Sequence, residues 1–234
     1  MNSARSAGWK FAARVAGAGP LRRISLAAIG VWAVLAGPGH SQEPAEGPPV
    51  VRVEEDWELQ VGAPDTDQDA PQIVNVISPV AGINGPHAVF ELNHRTMPLY
   101  IAGGMQLQTW VSEHLVDARN FPRTDKLTTP DELVRYTLAM SATEGLLKFE
   151  VINGTSTAWG PFGGQGYLKS TIDAGQASLQ DYDPGVSAKH SRIGFASHRV
   201  RKFALKEVRY YSADGSLLRT DDTERVVHVH TAGN

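Results

Sequence analysis

The 234-residue chain has no cysteine. That excludes a disulfide framework, thiolate catalysis and thiolate metal ligation together, so stability has to come from a packed core. Acidic residues are missing from the first 41 positions, which carry Arg5, Lys10, Arg14, Arg22 and Arg23 ahead of an apolar run at 24–36 (ISLAAIGVWAVLA). The run falls short of the about 20 apolar residues that a spanning helix needs. A basic segment, a short apolar segment and then Gly39-His40-Ser41 have the layout of a cleavable export signal over 1–41, with Ala36 or Gly37 as other cleavage points. Arg22-Arg23 runs into Ile24-Ser25-Leu26, a poor fit to a twin-arginine signal. Also missing is a Gly-x-Ser-x-Gly elbow, so neither order nor context marks a Ser-His-Asp nucleophile.

Removing the five basic residues of the leader from the 22 Lys and Arg leaves 17 against 25 Asp and Glu, a formal net charge of −8. A chain this acidic is a poor partner for nucleic acid. Residues 42–49 (QEPAEGPP) read as a flexible spacer. Structure is expected over 50–230, with a short tail at 231–234, and the mature chain is expected to hold no transmembrane helix. Its address would be the periplasm, the cell surface or the medium.

What is present is strand periodicity. Val51, Val53, Trp57, Leu59 and Val61 share one side of a strand, opposite Arg52, Glu54, Asp56, Glu58 and Gln60. Residues 72–77 form a short strand stopped by Ser78-Pro79. Residues 87–94 and 105–111 alternate again, with Phe90, Leu92, Met105, Leu107 and Val111 on apolar sides and Glu91, Asn93, Gln106, Gln108 and Trp110 on polar ones. Residues 112–126 are irregular and predict a surface loop. Thr129-Pro130-Asp131-Glu132 carries helix-start signals, yet residues 134–141 alternate, which predicts a strand, and a hairpin follows at Glu144-Gly145. Residues 168–172 suggest another strand, residues 173–191 a loop with a turn at Asp183-Pro184-Gly185, and residues 193–219 a hairpin turning at residues 212–215. Residues 224–230 would add an edge strand. Ten or so short strands without a long helix predict a single all-β domain, an antiparallel β-sandwich or jelly roll.

Two phrases near the end, Gly194-Phe195-Ala196-Ser197-His198-Arg199-Val200 and Val208-Arg209-Tyr210-Tyr211, give residues 50–230 a resemblance to the concanavalin A-like lectin/glucanase sandwich. VEEDWEL, FELNHR, GGMQLQTW and NGTSTAWGPFGG also look like phrases of a group of exported bacterial proteins with no assigned function. The first resemblance implies a fold that hosts binders and hydrolases alike. It also draws attention to Glu54, Asp56 and Glu58, whose Glu-x-Asp-x-Glu spacing resembles that of a class of glucanases in that fold. Retaining hydrolysis needs carboxyls about 5–5.5 Å apart, whereas residues two apart on a regular strand are separated by about 6.6 Å. A bulge would have to close the pair, and the alternative is a solvated acidic face.

Other candidates are clusters of polar or aromatic side chains. Asp65, Asp67 and Asp69 offer oxygens for a structural Ca²⁺, although Ala70 and Val76 depart from the EF-hand template. Trp159 and Phe162 stand in a glycine-rich loop and would either stack on sugar rings or cover a core edge. Glu91, Asn93, Gln106, Gln108 and Trp110 form the strongest binding set. On neighbouring strands they would present paired hydrogen-bonding groups to sugar hydroxyls beside an indole platform. The composite expectation is an exported, non-catalytic, lectin-like domain for a poly- or oligosaccharide. Secreted glycoside hydrolase and protein-binding envelope component are the alternatives.

Overall fold

The computed structural model describes residues 47–62, 71–79, 82–92, 104–122, 127, 129–158, 160–176 and 178–230. The expected leader, most of the spacer, the 231–234 tail, Asp65, Asp67, Asp69, Asn93 and Trp159 lie outside the described residues. In chain order the strands are β1 (Arg52–Val61), β2 (Gln72–Ile77), β3 (Pro86–Leu92), β4 (Gly104–Val111), β5 (His114–Pro122), β6 (Leu133–Thr143), β7 (Gly145–Ser156), β8 (Gly160–Phe162) and β9 (Lys169–Gln176). A helix, α1 (Pro184–His190), precedes β10 (Arg192–Phe195), β11 (Val200–Tyr211), β12 (Leu217–Asp221) and β13 (Arg225–Val229).

β1 is the centre of the larger sheet because its alternation gives it one dry face: Val53, Trp57, Leu59 and Val61 are at most 1% exposed. It lies between β11 and β6, antiparallel to both. β6 continues into β7 through Glu144 and Gly145, at φ 52° and 83°. Two successive left-handed residues suit the twist of a two-residue hairpin. At one margin β12 and β13 share the outer side of β11, and at the other β8 and β9 share that of β7. The smaller sheet has the order β10-β2-β3-β4-β5, in which β2 to β5 form a meander.

The two sheets close on one core. Phe90 of β3 meets Tyr136 of β6 edge-on, with centroids 5.1 Å apart at 68°. Trp57 and Phe203 pack at 5.1 Å within the same apolar cluster. The architecture is therefore an all-β, antiparallel sandwich, as the alternation predicts. Among the described residues no helix is long and apolar enough to cross a membrane.

Three sequence expectations are corrected. The segment 112–126 is not one loop, because His114–Pro122 forms β5. As a sheet margin with Leu115 and Val116 48% and 54% exposed, and with a bulge opposite Thr109 and Trp110, it lacks the clean alternation of a half-buried strand. Residues 173–191 carry the end of β9 and then α1, whose seven residues are too few to show helical periodicity. Asp183-Pro184-Gly185 opens α1 as its cap, with Asp183 Oδ1 accepting from Gly185 N at 2.7 Å. Finally, residues 193–219 are not one hairpin. Arg192–Phe195 joins the smaller sheet, and a 3-10 turn at Ser197–Arg199 leads into the β11–β12 hairpin of the larger one.

Candidate binding face

β3 and β4 are neighbours, and their register sets Glu91 against Gln106, Val89 against Gln108 and His87 against Trp110. All six lie on the side of the smaller sheet opposite the main core, because Phe90, Leu92, Met105 and Leu107 take the inward positions. Pairing across all five strands builds one row, Arg192–Val74–Glu91–Gln106–Asn120. The next row is Val76–Val89–Gln108–Ala118. Val74, Val76 and Val89 are under 9% exposed and pack with Trp110 as a satellite cluster. The face is thus half apolar and half amide.

The polar half is ordered by its own hydrogen bonds. Trp110 Nε1 donates to Gln108 Oε1 at 2.9 Å, Gln108 Nε2 donates to Gln106 Oε1, and Gln106 Nε2 donates to Asn120 Oδ1 at 2.6 Å. The donors all point the same way, from the indole to an exposed asparagine, so each amide is held in one orientation. One N–H of each glutamine amide is used in the chain, and each amide carries a second. Trp110 also stacks on His87, centroids 6.5 Å apart and planes 10° from parallel. His87 is buried, its Nδ1 is 2.9 Å from the Gly85 carbonyl, and burial pushes its pKa down. Burial raises the Glu91 carboxyl to about 7, partly opposed by the charge of Arg192.

The other acidic set faces away from the core of the larger sheet. Glu54, Asp56 and Glu58 lie on the outward side of β1, where Arg209 reaches Asp56 at 2.5 and 3.0 Å, Glu207 at 2.6 Å and Glu54 at 3.3 Å. Arg52 and the Tyr211 hydroxyl hold Glu54 as well, and Thr137 donates to Asp56. For Glu58, burial pushes the pKa up, but hydrogen bonds from Arg135 and Gln60 outweigh it and leave the carboxyl below the usual range. Asp56 and Glu58 border a depression of ≈ 260 Å³ with Arg135, Thr137, Asn153 and Thr155. Glu54 and Asp56 are tied up in ion pairs with Arg52 and Arg209, and Glu58, held below the usual range, lacks the raised pKa that an acid catalyst of glycoside cleavage needs.

Phe162 is 3% exposed and turned into the core, close enough to Gly154 that a Cβ there would lie 2.5 Å from its ring. The structure therefore groups Glu91, Gln106, Gln108 and Trp110 and keeps Phe162 and the β1 acids apart from them. Among the described residues no cluster of three or more His, Asp or Glu is arranged to hold a metal.

Sequence reasoning missed Asn120, because β5 reads as loop; once β5 is a strand, the hairpin register places Asn120 against Gln106. It also left Glu55 without a role. This carboxylate occupies the apolar phase of β1, is fully buried, and accepts from Trp57 Nε1 at 3.0 Å and from the Tyr182 hydroxyl, which is 3.2 Å from Ser187 Oγ of α1. Burial lifts its pKa to about 7 despite those hydrogen bonds. A charge interrupting Val53-x-x-x-Trp57-x-Leu59 was the available signal.

Neither a scan of protein-family models nor a search of curated proteins gave a match to this chain.

Proposed function

We propose that the chain is an exported, non-catalytic binding domain for a poly- or oligosaccharide, in a sandwich of the concanavalin A-like type, and that the outer face of β3 and β4 is its binding surface. The observation carrying this reading is the one-way amide chain from Trp110 to Asn120. The half-buried Gln108 and exposed Asn120 amides, fixed through the buried Gln106, offer their N–H groups to sugar hydroxyls with little ordering entropy left to lose. The half-buried Trp110 indole, seated on the buried valines, supplies the apolar surface against which a sugar ring packs. Glu91 adds a group that accepts when ionised and also donates when protonated.

The test is the side-chain amide spectrum of ¹⁵N-labelled protein titrated with a panel of neutral oligosaccharides. At least one sugar is expected to shift the Gln106, Gln108 and Asn120 amide resonances together. Saturable shifts confined to other parts of the molecule would contradict the reading.

A second reading, a cell-envelope component with a protein partner, is favoured by one specific feature. Ile83, Val111, Leu115 and Val116 are 38–54% exposed at one end of the smaller sheet, where Ser112 Oγ of the β4–β5 turn donates to the Asn84 carbonyl at 2.8 Å. It predicts that Leu115→Glu combined with Val116→Lys releases the chain from isolated envelopes without changing its melting temperature. Unchanged retention would count against it.

A further inference from the structure

β5 ends the smaller sheet and β9 is an outer strand of the larger one. A cleft of ≈ 460 Å³ where they approach is lined by Asp117, Arg119, Gly166, Tyr167, Lys169 and Thr171. That volume lies within the ~300–1,000 Å³ range of ligand pockets. It owes nothing to the amide face, since Asp117 and Arg119 pair with Thr109 and Leu107 and so occupy the opposite side of the sheet from Gln106 and Gln108.

The cleft has an anchored cation. Thr109 Oγ1 donates to Ser170 Oγ at 2.5 Å, Ser170 Oγ donates to Asp117 Oδ2 at 2.9 Å, and Arg119 Nε donates to the same oxygen at 2.9 Å. Thr109 and Ser170 are 0% and 3% exposed. Two hydroxyls in a sandwich core are tolerated only when fully hydrogen-bonded. Here they fix a carboxylate, and the carboxylate fixes a guanidinium. Burial acts to raise the Asp117 pKa, but the bonds from Ser170 and Arg119 prevail and hold it below the usual carboxylate range. Asp117 engages Nε of Arg119, and the two terminal nitrogens have no partner among the described residues. With Lys169 on the rim, the lining carries two positive groups against one negative, on a chain whose residues 42–234 have a formal charge of −8.

The cleft also has an aromatic wall. Tyr167 stacks on Phe121 with centroids 4.3 Å apart, and its hydroxyl accepts from Gly163 N at 2.7 Å, so the ring is held from both ends. At Gly166 the space that a Cβ would enter is open. A fixed guanidinium fork matches a planar carboxylate, and an aromatic face matches the C–H face of a sugar ring. We propose that the cleft between β5 and β9 binds a uronate unit of an acidic saccharide. Arg119 takes the carboxylate with its terminal nitrogens, Lys169 adds charge, and the ring lies on Tyr167.

The ligand class is the one proposed for the amide face, but the site is separate, and the experiment keeps the two apart. The full chain is titrated calorimetrically with an oligogalacturonate and with its fully methyl-esterified counterpart of equal length. Binding of the acid form is expected to exceed that of the ester by about tenfold or more, as the loss of a charge-assisted hydrogen bond implies. It should weaken as ionic strength rises from about 0.05 to about 0.3 M. Arg119→Ala should weaken acid binding about tenfold and Arg119→Lys less, with unfolding midpoints close to that of the parent confirming that both variants fold. Equal binding of acid and ester, acid binding unaltered in Arg119→Ala, or no binding of the acid form would overturn the proposal. Loss of neutral-sugar binding in Trp110→Ala reports on the amide face alone.

Discussion

Replacing Glu55 by Gln should flatten the pH dependence of stability between pH 4.5 and 7. The carboxyl titrates near 4.5 when exposed in the unfolded chain, while burial among Trp57, Tyr182 and Ser187 raises it to about 7 in the fold. Between those values the native state keeps a proton that the unfolded state has released. Stability therefore declines as pH rises through this window and levels off above about 7, where both states are ionised. The difference of about 2.5 pH units corresponds to about 3 kcal/mol, a large fraction of the ~5–15 kcal/mol typical of a domain. Glu91, whose carboxyl burial also raises to about 7, adds to the same slope. An amide at position 55 cannot ionise. It accepts from Trp57 through its oxygen and donates to the Tyr182 oxygen, with about 1 kcal/mol lost to imperfect geometry. Glu55→Gln should thus be about 1 kcal/mol less stable than the parent near pH 4 and about 2 kcal/mol more stable at pH 8. Urea unfolding of both proteins across this range measures the difference directly. An unchanged slope between pH 5 and 7 would refute the buried, protonated carboxyl.

Phe90→Ala removes the ring that joins the two sheets at Tyr136 and should destabilise the fold by ~3–5 kcal/mol in the same urea assay; a loss below about 1 kcal/mol would show that the sheets do not meet there. Gly154→Ala drives a methyl group into the Phe162 ring and should cost ~1–3 kcal/mol. Combined with Phe162→Leu it should be less than additive, and strict additivity would mean the two positions do not touch.

The parts of this fold that can be read in advance are those in which one strand face is dry. β1 shows it directly, and β6 shows it against contrary local signals. Thr129-Pro130-Asp131-Glu132 has the chemistry of a helix start, but Glu132 turns inward and its Oε1 accepts from Ser156 Oγ, from Thr157 Oγ1 at 3.2 Å and from Ala158 N at 3.0 Å. The acid fastens the end of β7 instead of a helix N-terminus. β5 and α1 are hidden for a different reason. A margin strand with a bulge and a helix of two turns bury too little, too irregularly, to impress a period on the sequence.

The same rule governs the sites. The shared alternation of residues 87–94 and 105–111 anticipates that Glu91, Gln106, Gln108 and Trp110 share one side if their strands are neighbours, and the register makes β3 and β4 neighbours with Glu91 set against Gln106. Asn120 and Arg192 join it only through pairing across the whole sheet. Arg119 and Tyr167 are 48 residues apart in sequence and meet only because the margins of two sheets converge. No local pattern records such a meeting.

The central claim is that the amide face takes a saccharide. Its most direct test is the melting temperature of the full chain across a panel of neutral oligosaccharides, measured beside Trp110→Ala, because a ligand that binds only the native state must raise its stability. A saccharide site on this face should give a reproducible, concentration-dependent rise with one sugar class that disappears in the variant while its unliganded melting temperature stays close to that of the parent. No rise with any sugar, or a rise that Trp110→Ala leaves intact, would contradict it.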